Sequence, residues 1–106
     1  MNITKSLNLL IFTVLFLSFN ISADTTITSG KDKSETCLGC HAIPGYNNVY
    51  PTYKVPKLAG QHADYIKSAL LAYKNNERIH DTMHTNATGL SDKDIDDISK
   101  YFESLK

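Results

Sequence analysis

Two segments of the chain carry apolar residues at the spacing of one helix face. Between residues 61 and 75 the apolar side chains recur every three or four positions, with polar residues between them. Residues 91–106 show the same pattern. Ser91, followed three positions later by Asp94, is typical of a capping box at the start of that stretch. We therefore predict a helix in each segment.

The remaining segments carry weaker signals. A short helix is predicted over residues 31–40, and the polar residues 24–30 are expected to form a loose tail. Residues 43–57 hold all three prolines, and residues 76–89 show no clean periodicity, so both are predicted loops. Since no segment predicts a convincing strand, we expect an all-α fold of about three helices. Two long loops in so small a domain make sense if they wrap a bound group.

The first 23 residues have the pattern of a secretory signal. Lys5 precedes a mostly apolar run from Leu7 to Phe19, and the small residue Ala23 ends the segment. The run is shorter than the roughly 20 residues that a membrane span needs. We predict a signal peptide over residues 1–23, cleaved after Ala23, and a periplasmic domain over residues 24–106. If the segment is not cleaved, it stays as a membrane anchor.

The charge of the chain excludes one class of partner. Eleven basic residues balance eleven acidic ones, and loss of Lys5 with the signal leaves one acidic residue in excess. Binding to a nucleic-acid backbone needs a marked basic excess, so no nucleic-acid partner is expected. A domain this small buries a modest core, and it often needs a disulfide or a bound group for stability.

The two cysteines stand in the segment Cys37-Leu38-Gly39-Cys40-His41. Two thiols three positions apart, followed at once by histidine, form the pattern for covalent attachment of haem c. The thiols add to the two vinyl groups of the porphyrin, and the adjacent histidine binds the iron through an imidazole nitrogen. Gly39 leaves room for close approach of the ring. We predict one haem c, held by thioethers at Cys37 and Cys40, with His41 as an iron ligand.

Three other interpretations of the cysteine pair stay open from the residues alone. A thioredoxin-like redox pair would need a strand–helix context, and the sequence has no β-rich half. A zinc site could recruit His62, His80 and His84. A plain disulfide is the third, although cysteines this close would form a small loop with little entropic gain.

The second axial ligand decides what a haem does. Met1 leaves with the signal, so Met83, in the predicted loop 76–89, is the methionine that remains. Ligation by histidine and methionine raises the reduction potential and favours electron transfer over oxygen chemistry. His80 and His84 flank Met83 and are the alternative ligands.

Other loop residues have candidate roles around a haem. A backbone carbonyl among residues 55–58 is a candidate acceptor for the second ring N–H of His41. Three tyrosines of the first long loop could line a haem edge, or they could simply pack the loop: Tyr46, Tyr50 and Tyr53.

Taken in order, these motifs resemble the class I cytochromes c, specifically the small single-haem periplasmic type of proteobacteria. The resemblance covers essentially the whole predicted mature chain. After the cysteine motif come Val55-Pro56-Lys57-Leu58-Ala59-Gly60-Gln61, Asn76-Glu77-Arg78, Thr82-Met83 and Gly89-Leu90-Ser91-Asp92.

The resemblance implies the small cytochrome c fold, wrapped around the haem, and a ligand set. His41 would be the proximal ligand and Met83 the distal one, and the Pro56 carbonyl would accept the His41 N–H. It also implies that the first and last helices cross. Two positions depart from the family pattern. Asp81 stands where similar proteins often have proline, and residues 31–36 lack the usual aromatic residue.

The function that the resemblance implies is a periplasmic carrier of single electrons between redox partner proteins. Such a carrier turns over no substrate and is not itself an enzyme. The alternative is a haem-bearing electron-transfer subunit of a larger periplasmic oxidoreductase. A haem sensor or gas binder would need an open or easily lost sixth ligand.

Overall fold

A computed structural model describes residues 22–49 and 52–106. Residues 1–21 of the predicted signal peptide and the candidate Tyr50 lie outside the described residues. The described part contains five helices and two short strands: α1 (Ser22–Lys33), α2 (Glu35–His41), β1 (Asn47–Val49), β2 (Thr52–Lys54), α3 (Ala63–Lys74), α4 (Asp81–Thr88) and α5 (Asp92–Ser104). None of the helices in these residues is long and apolar enough to cross a membrane.

The two helices with the clearest sequence pattern lie where they were predicted. In α5 the Ser91 hydroxyl accepts from the Asp94 backbone N–H at 3.1 Å, and an Asp94 carboxylate oxygen accepts from the Ser91 N–H at 2.9 Å. Both halves of the predicted capping box are therefore formed, and they satisfy two N–H groups that a helix start leaves without partners.

Four local predictions were wrong. Residues 24–30 are not a tail but most of α1, and the predicted helix over 31–40 is divided at the buried Ser34 into the end of α1 and most of α2. The predicted loop 76–89 contains α4. The loop 43–57 holds an antiparallel hairpin of β1 and β2, in which Asn48 pairs with Tyr53. The helical class stands, with five helices in the described part where about three were expected.

The core is a cluster of buried apolar side chains from three helices. It consists of Ile66 and Leu70 of α3, Ala87 of α4, and Ile95, Ile98, Tyr101 and Phe102 of α5. The segment before α3 is tied to this core because the Gly60 N–H donates to the Phe102 carbonyl at 2.8 Å. Gly60 has a φ of +80°, a left-handed conformation that glycine adopts without steric cost.

Helices α1 and α5 pack directly against each other, as the resemblance implies. Although residues 31–36 lack the usual aromatic residue, α1 spans Ser22–Lys33. The contact is made instead by Gly30, which lies against the main chain of Asp97 and the Cβ of Tyr101. The buried Asp97 carboxylate accepts from Ser29 Oγ at 3.0 Å and from Lys33 Nζ at 3.2 Å, so the crossing is also polar.

Candidate haem site

Helix α2 presents the two thiols and the histidine of the attachment motif. Cys37 is half-buried and Cys40 is exposed, and both are free thiols. Residues three positions apart in a helix lie on the same face, so the two sulfurs can reach one side of a flat ring. Burial raises the pKa of the Cys37 thiol. A thioredoxin-like cysteine needs the opposite shift, which argues against a redox pair.

The imidazole of His41 contacts the backbone of the loop that follows the hairpin. Its Nδ1 lies 2.7 Å from the carbonyl oxygen of Pro56. A carbonyl oxygen can only accept a hydrogen bond, so Nδ1 must be the nitrogen that carries the proton. The lone pair of Nε2 is therefore the one left for a metal ion. This tautomer and this type of outer partner are what a metal-binding histidine needs.

Met83 lies in the first turn of α4, not in a loop as predicted. It is the third residue of the helix, it is half-buried, and it packs against the core cluster. Asp81, which stands in place of the family's proline, is the first residue of this helix. Proline and acidic residues are both favoured there, proline because its φ suits a helix start and aspartate because of the helix dipole. The departure is thus compatible with the same local structure.

The two histidines that flank Met83 make other contacts. His84 Nδ1 lies 2.8 Å from the Tyr73 carbonyl oxygen, and His80 Nδ1 accepts from the Met83 backbone N–H at 3.4 Å. His62, the residue before α3, is exposed and lies 3.6 Å from Glu103. Within residues 22–49 and 52–106 no three or more His, Cys, Asp or Glu side chains gather as metal ligands would. The zinc interpretation therefore has no ligand cluster in the described part.

The elements that carry or adjoin these groups contribute half-buried apolar side chains that pack against the core cluster. They come from α2, from the loop before α3, from α3 and from α4, and include Leu38, Leu58, Tyr73 and Met83. Partly exposed apolar surface of this kind suits a large, flat, apolar group that would cover it. Two free thiols at the right spacing and one imidazole with a free Nε2 complete the set, so the residues present fit a haem c.

Several contacts at this site gave no signal in the sequence. The Tyr53 hydroxyl donates to Thr82 Oγ1 at 3.1 Å, which joins the hairpin to the start of α4. The guanidinium of Arg78 lies 4.8 Å from the centre of the Tyr73 ring. Tyr53 and Thr82 are 29 positions apart, and a tyrosine followed by an arginine has no distinctive spacing. No local pattern could therefore have revealed either contact.

Comparisons with known proteins agree with this chemistry. The family model Cytochrome c matches residues 27–106. Cytochrome c-554(548) of Halomonas halodenitrificans is 40% identical over 72% of this chain and 92% of its own length. The cytochrome subunit of sulfide dehydrogenase of Chlorobaculum tepidum is 31% identical over 76% of this chain and 69% of its own.

A solved structure extends the agreement to the fold. Reduced recombinant cytochrome c4 from Pseudomonas stutzeri superposes with a TM-score of 0.60 at 28% identity, over 78% of this chain and 50% of the other. The chain therefore spans about half the length of that cytochrome c4. Together these similarities confirm the cytochrome c fold and the resemblance to class I cytochromes c of proteobacteria. The chain belongs to the cytochrome c family, and it takes part in electron transfer with a haem c that is bound covalently through two thioethers.

Proposed function

We propose that this chain is a periplasmic carrier of single electrons whose haem iron is bound by His41 on one face and by Met83 on the other. The observation that carries the proposal is the 2.7 Å contact between His41 Nδ1 and the Pro56 carbonyl. It orients the imidazole, leaves Nε2 as the free donor, and makes that nitrogen more basic. When bound, haem c supplies an iron that gains and loses one electron.

The proposal gives each site residue a distinct task. Cys37 and Cys40 form the two thioethers, so the group cannot dissociate during repeated cycles. Pro56 holds the ring of His41 through its carbonyl. Met83 supplies a thioether sulfur, which raises the potential and closes the remaining coordination position to small ligands. With both positions taken by the chain, no substrate can bind to the iron, and the protein is a carrier and not an enzyme.

The location follows from the N-terminal pattern. Residues 1–23 act as the signal peptide, and the mature carrier begins at Asp24 in the periplasm, where redox partner proteins donate and accept the electron. Mass spectrometry of the exported protein tests this directly. The expected mass is that of residues 24–106 plus one haem, and retention of residues 1–23 would indicate a membrane anchor instead.

A second candidate function is a haem-bearing subunit of a larger periplasmic oxidoreductase. The similarity to the cytochrome subunit of sulfide dehydrogenase favours it, since this chain spans 69% of that protein. Purification of the native protein under gentle conditions separates the two. A carrier is expected to elute alone, whereas a subunit elutes with a stoichiometric partner that holds a second cofactor.

The ligand assignment is tested by Met83→Ala in the holoprotein. We expect a lower reduction potential, loss of the long-wavelength charge-transfer band of methionine-bound ferric haem, and binding of carbon monoxide to the reduced protein. Leu90→Ala is the control, because Leu90 is also a half-buried apolar residue packed on the core. It should keep the wild-type spectrum. If Met83→Ala keeps both potential and spectrum, Met83 is not the ligand.

A further inference from the structure

We propose that His80 is a positioning residue for the iron ligand Met83: it accepts the Met83 backbone N–H while the rings of Tyr53 and Tyr73 hold its imidazole. The inference rests on the proposed ligation by Met83 and assigns His80 a task other than the axial ligation considered from the sequence. A methionine side chain is flexible, so the place of its sulfur depends strongly on how firmly its backbone is held.

The first step in the argument is the helix cap. His80 precedes α4 with extended backbone, at φ −169° and ψ 106°, and its Nδ1 accepts from the N–H of Met83, the third residue of the helix. This is the geometry of an N-cap, usually made by serine, threonine, asparagine or aspartate. Since Nδ1 accepts, the ring proton lies on Nε2.

The second step concerns what holds the ring of His80. At 3.4 Å the cap bond is long and therefore weak, so other contacts must supply most of what holds the imidazole in place. Tyr53 meets the ring edge-on, with centroids 4.5 Å apart and planes at 83°. Tyr73 meets it at 6.2 Å and 77°. These are favourable edge-to-face geometries, and they place the imidazole between the hairpin and α3.

The third step is that the helix is anchored on both sides of Met83. Before it, the Tyr53 hydroxyl donates to Thr82 at 3.1 Å. After it, His84 Nδ1 lies 2.8 Å from the Tyr73 carbonyl, to which it must donate. Tyr53 and Tyr73 therefore each hold His80 through the ring and a neighbour of Met83 through a hydrogen bond. The backbone of Met83 lies between two tethered residues.

The test compares His80→Ala with His80→Asn in the holoprotein. Alanine removes the acceptor, while asparagine is among the best N-cap residues and restores it. Loss of a cap shifts a local equilibrium by about fivefold. We expect carbon monoxide to bind the reduced His80→Ala protein about fivefold more tightly than wild type, with a lower potential and a weaker methionine charge-transfer band. His80→Asn should return all three toward wild type.

The chain offers a matched control in His62. It also precedes a helix as the N-cap residue, but its side chain makes no cap hydrogen bond, and it is exposed. His62→Ala should leave the potential and the spectrum unchanged. The positioning role is overturned if His80→Ala also leaves them unchanged, or if His80→Asn behaves like His80→Ala.

Met83→Ala, measured in parallel, separates this inference from the proposed function. If Met83→Ala loses the charge-transfer band while His80→Ala keeps wild-type values, only the positioning role of His80 is wrong. If neither variant changes the band or the potential, Met83 does not bind the iron, and both proposals are overturned together.

Discussion

Gly30 of α1 lies in contact with the main chain of Asp97 of α5. A Cβ at position 30 would overlap the Asp97 carbonyl group and would stand 2.8 Å from the Cβ of Tyr101. Real Cβ atoms do not approach other heavy atoms that closely, so the two helices pack at a distance that only glycine permits. The resemblance led us to expect that the first and last helices cross, although residues 31–36 lack the usual aromatic residue, and the structure joins them by close backbone contact.

Gly30→Ala should therefore destabilise the protein. Alanine normally favours a helix over glycine by roughly 0.5–1 kcal/mol, but overpacking a tight contact costs about 1–3 kcal/mol. We expect a net loss in the free energy of unfolding, measured by urea denaturation of the holoprotein. Gly89→Ala is the control, because nothing lies within 4 Å of a Cβ there. Equal stability of the two variants would show that α1 and α5 can move apart at Gly30 without a loss in the free energy of unfolding.

The Asp97 carboxylate should make a pH-dependent contribution to stability. It is buried and accepts from Lys93 Nζ at 2.6 Å, from Ser29 Oγ and from Lys33 Nζ. The hydrogen bond from Lys93, with smaller help from Lys33 and Ser29, holds the pKa of Asp97 below its usual range, although burial opposes this. In the unfolded chain the pKa of Asp97 has the ordinary aspartate value of about 3.9.

Asp97→Asn should cost roughly 1.5–3 kcal/mol at neutral pH, since hydrogen bonds to a charged group are lost. Because the folded pKa is lowered, this contribution is complete above about pH 5 and declines as the pH falls below about 4 and through the folded pKa. Urea denaturation across that range measures the difference between wild type and variant. Asp96→Asn, at a more exposed ion pair with Lys67 and Lys100, should cost less than about 1 kcal/mol. If the difference in stability between wild type and Asp97→Asn grows as the pH falls, the lowered pKa of Asp97 is contradicted.

Local signals predicted the parts of the fold that local interactions stabilise. Helix α5 has an apolar stripe and a cap built from Ser91 and Asp94, both visible in the sequence. Helix α1 has no such stripe. It is held by the contacts of Gly30 and Ser29 with Asp97 of α5, and Asp97 lies about 67 positions after Gly30 in the chain. A polar segment with tertiary partners cannot be told from a tail by composition alone.

The candidate haem site also has parts that the sequence predicted and parts that it did not. The thiols and the imidazole of the attachment motif lie within five consecutive residues, so their chemistry could be predicted from spacing. A carbonyl among residues 55–58 was a candidate acceptor for the His41 N–H from the residues alone, and the family resemblance narrowed the prediction to the carbonyl of Pro56. Helix α4 was missed because its eight residues bury a single side chain, Ala87, and its cap is a histidine, which is an unusual residue in that place.

The capping box of α5 gives a third prediction. Ser91→Ala removes the oxygen that accepts the Asp94 N–H, and it should lower the free energy of unfolding by about 1 kcal/mol. Ser91→Asn should restore most of it, because asparagine is an equally good cap. Thermal or urea unfolding of the holoprotein measures both. A cost for asparagine as large as that for alanine would show that the hydroxyl acts through something other than the cap.

Substitutions of Tyr53 distinguish its hydrogen bond to Thr82 from its ring contact with His80. Tyr53→Phe removes the hydroxyl that donates to Thr82 but keeps the ring against His80. This variant should cost about 0.5–1.5 kcal/mol in stability, as for one hydrogen bond. Because one tether beside Met83 is lost, its potential should fall slightly, by less than in Tyr53→Ala. Tyr53→Ala removes the ring as well, and its potential should fall toward that of His80→Ala, because the imidazole loses the closer of its two edge-to-face contacts. Redox titration with visible spectra measures both variants.

Thr82→Val, which removes the acceptor from the other side, should match Tyr53→Phe. If Tyr53→Ala and Tyr53→Phe have the same potential, the ring does not hold His80, and the cap must depend on Tyr73 alone.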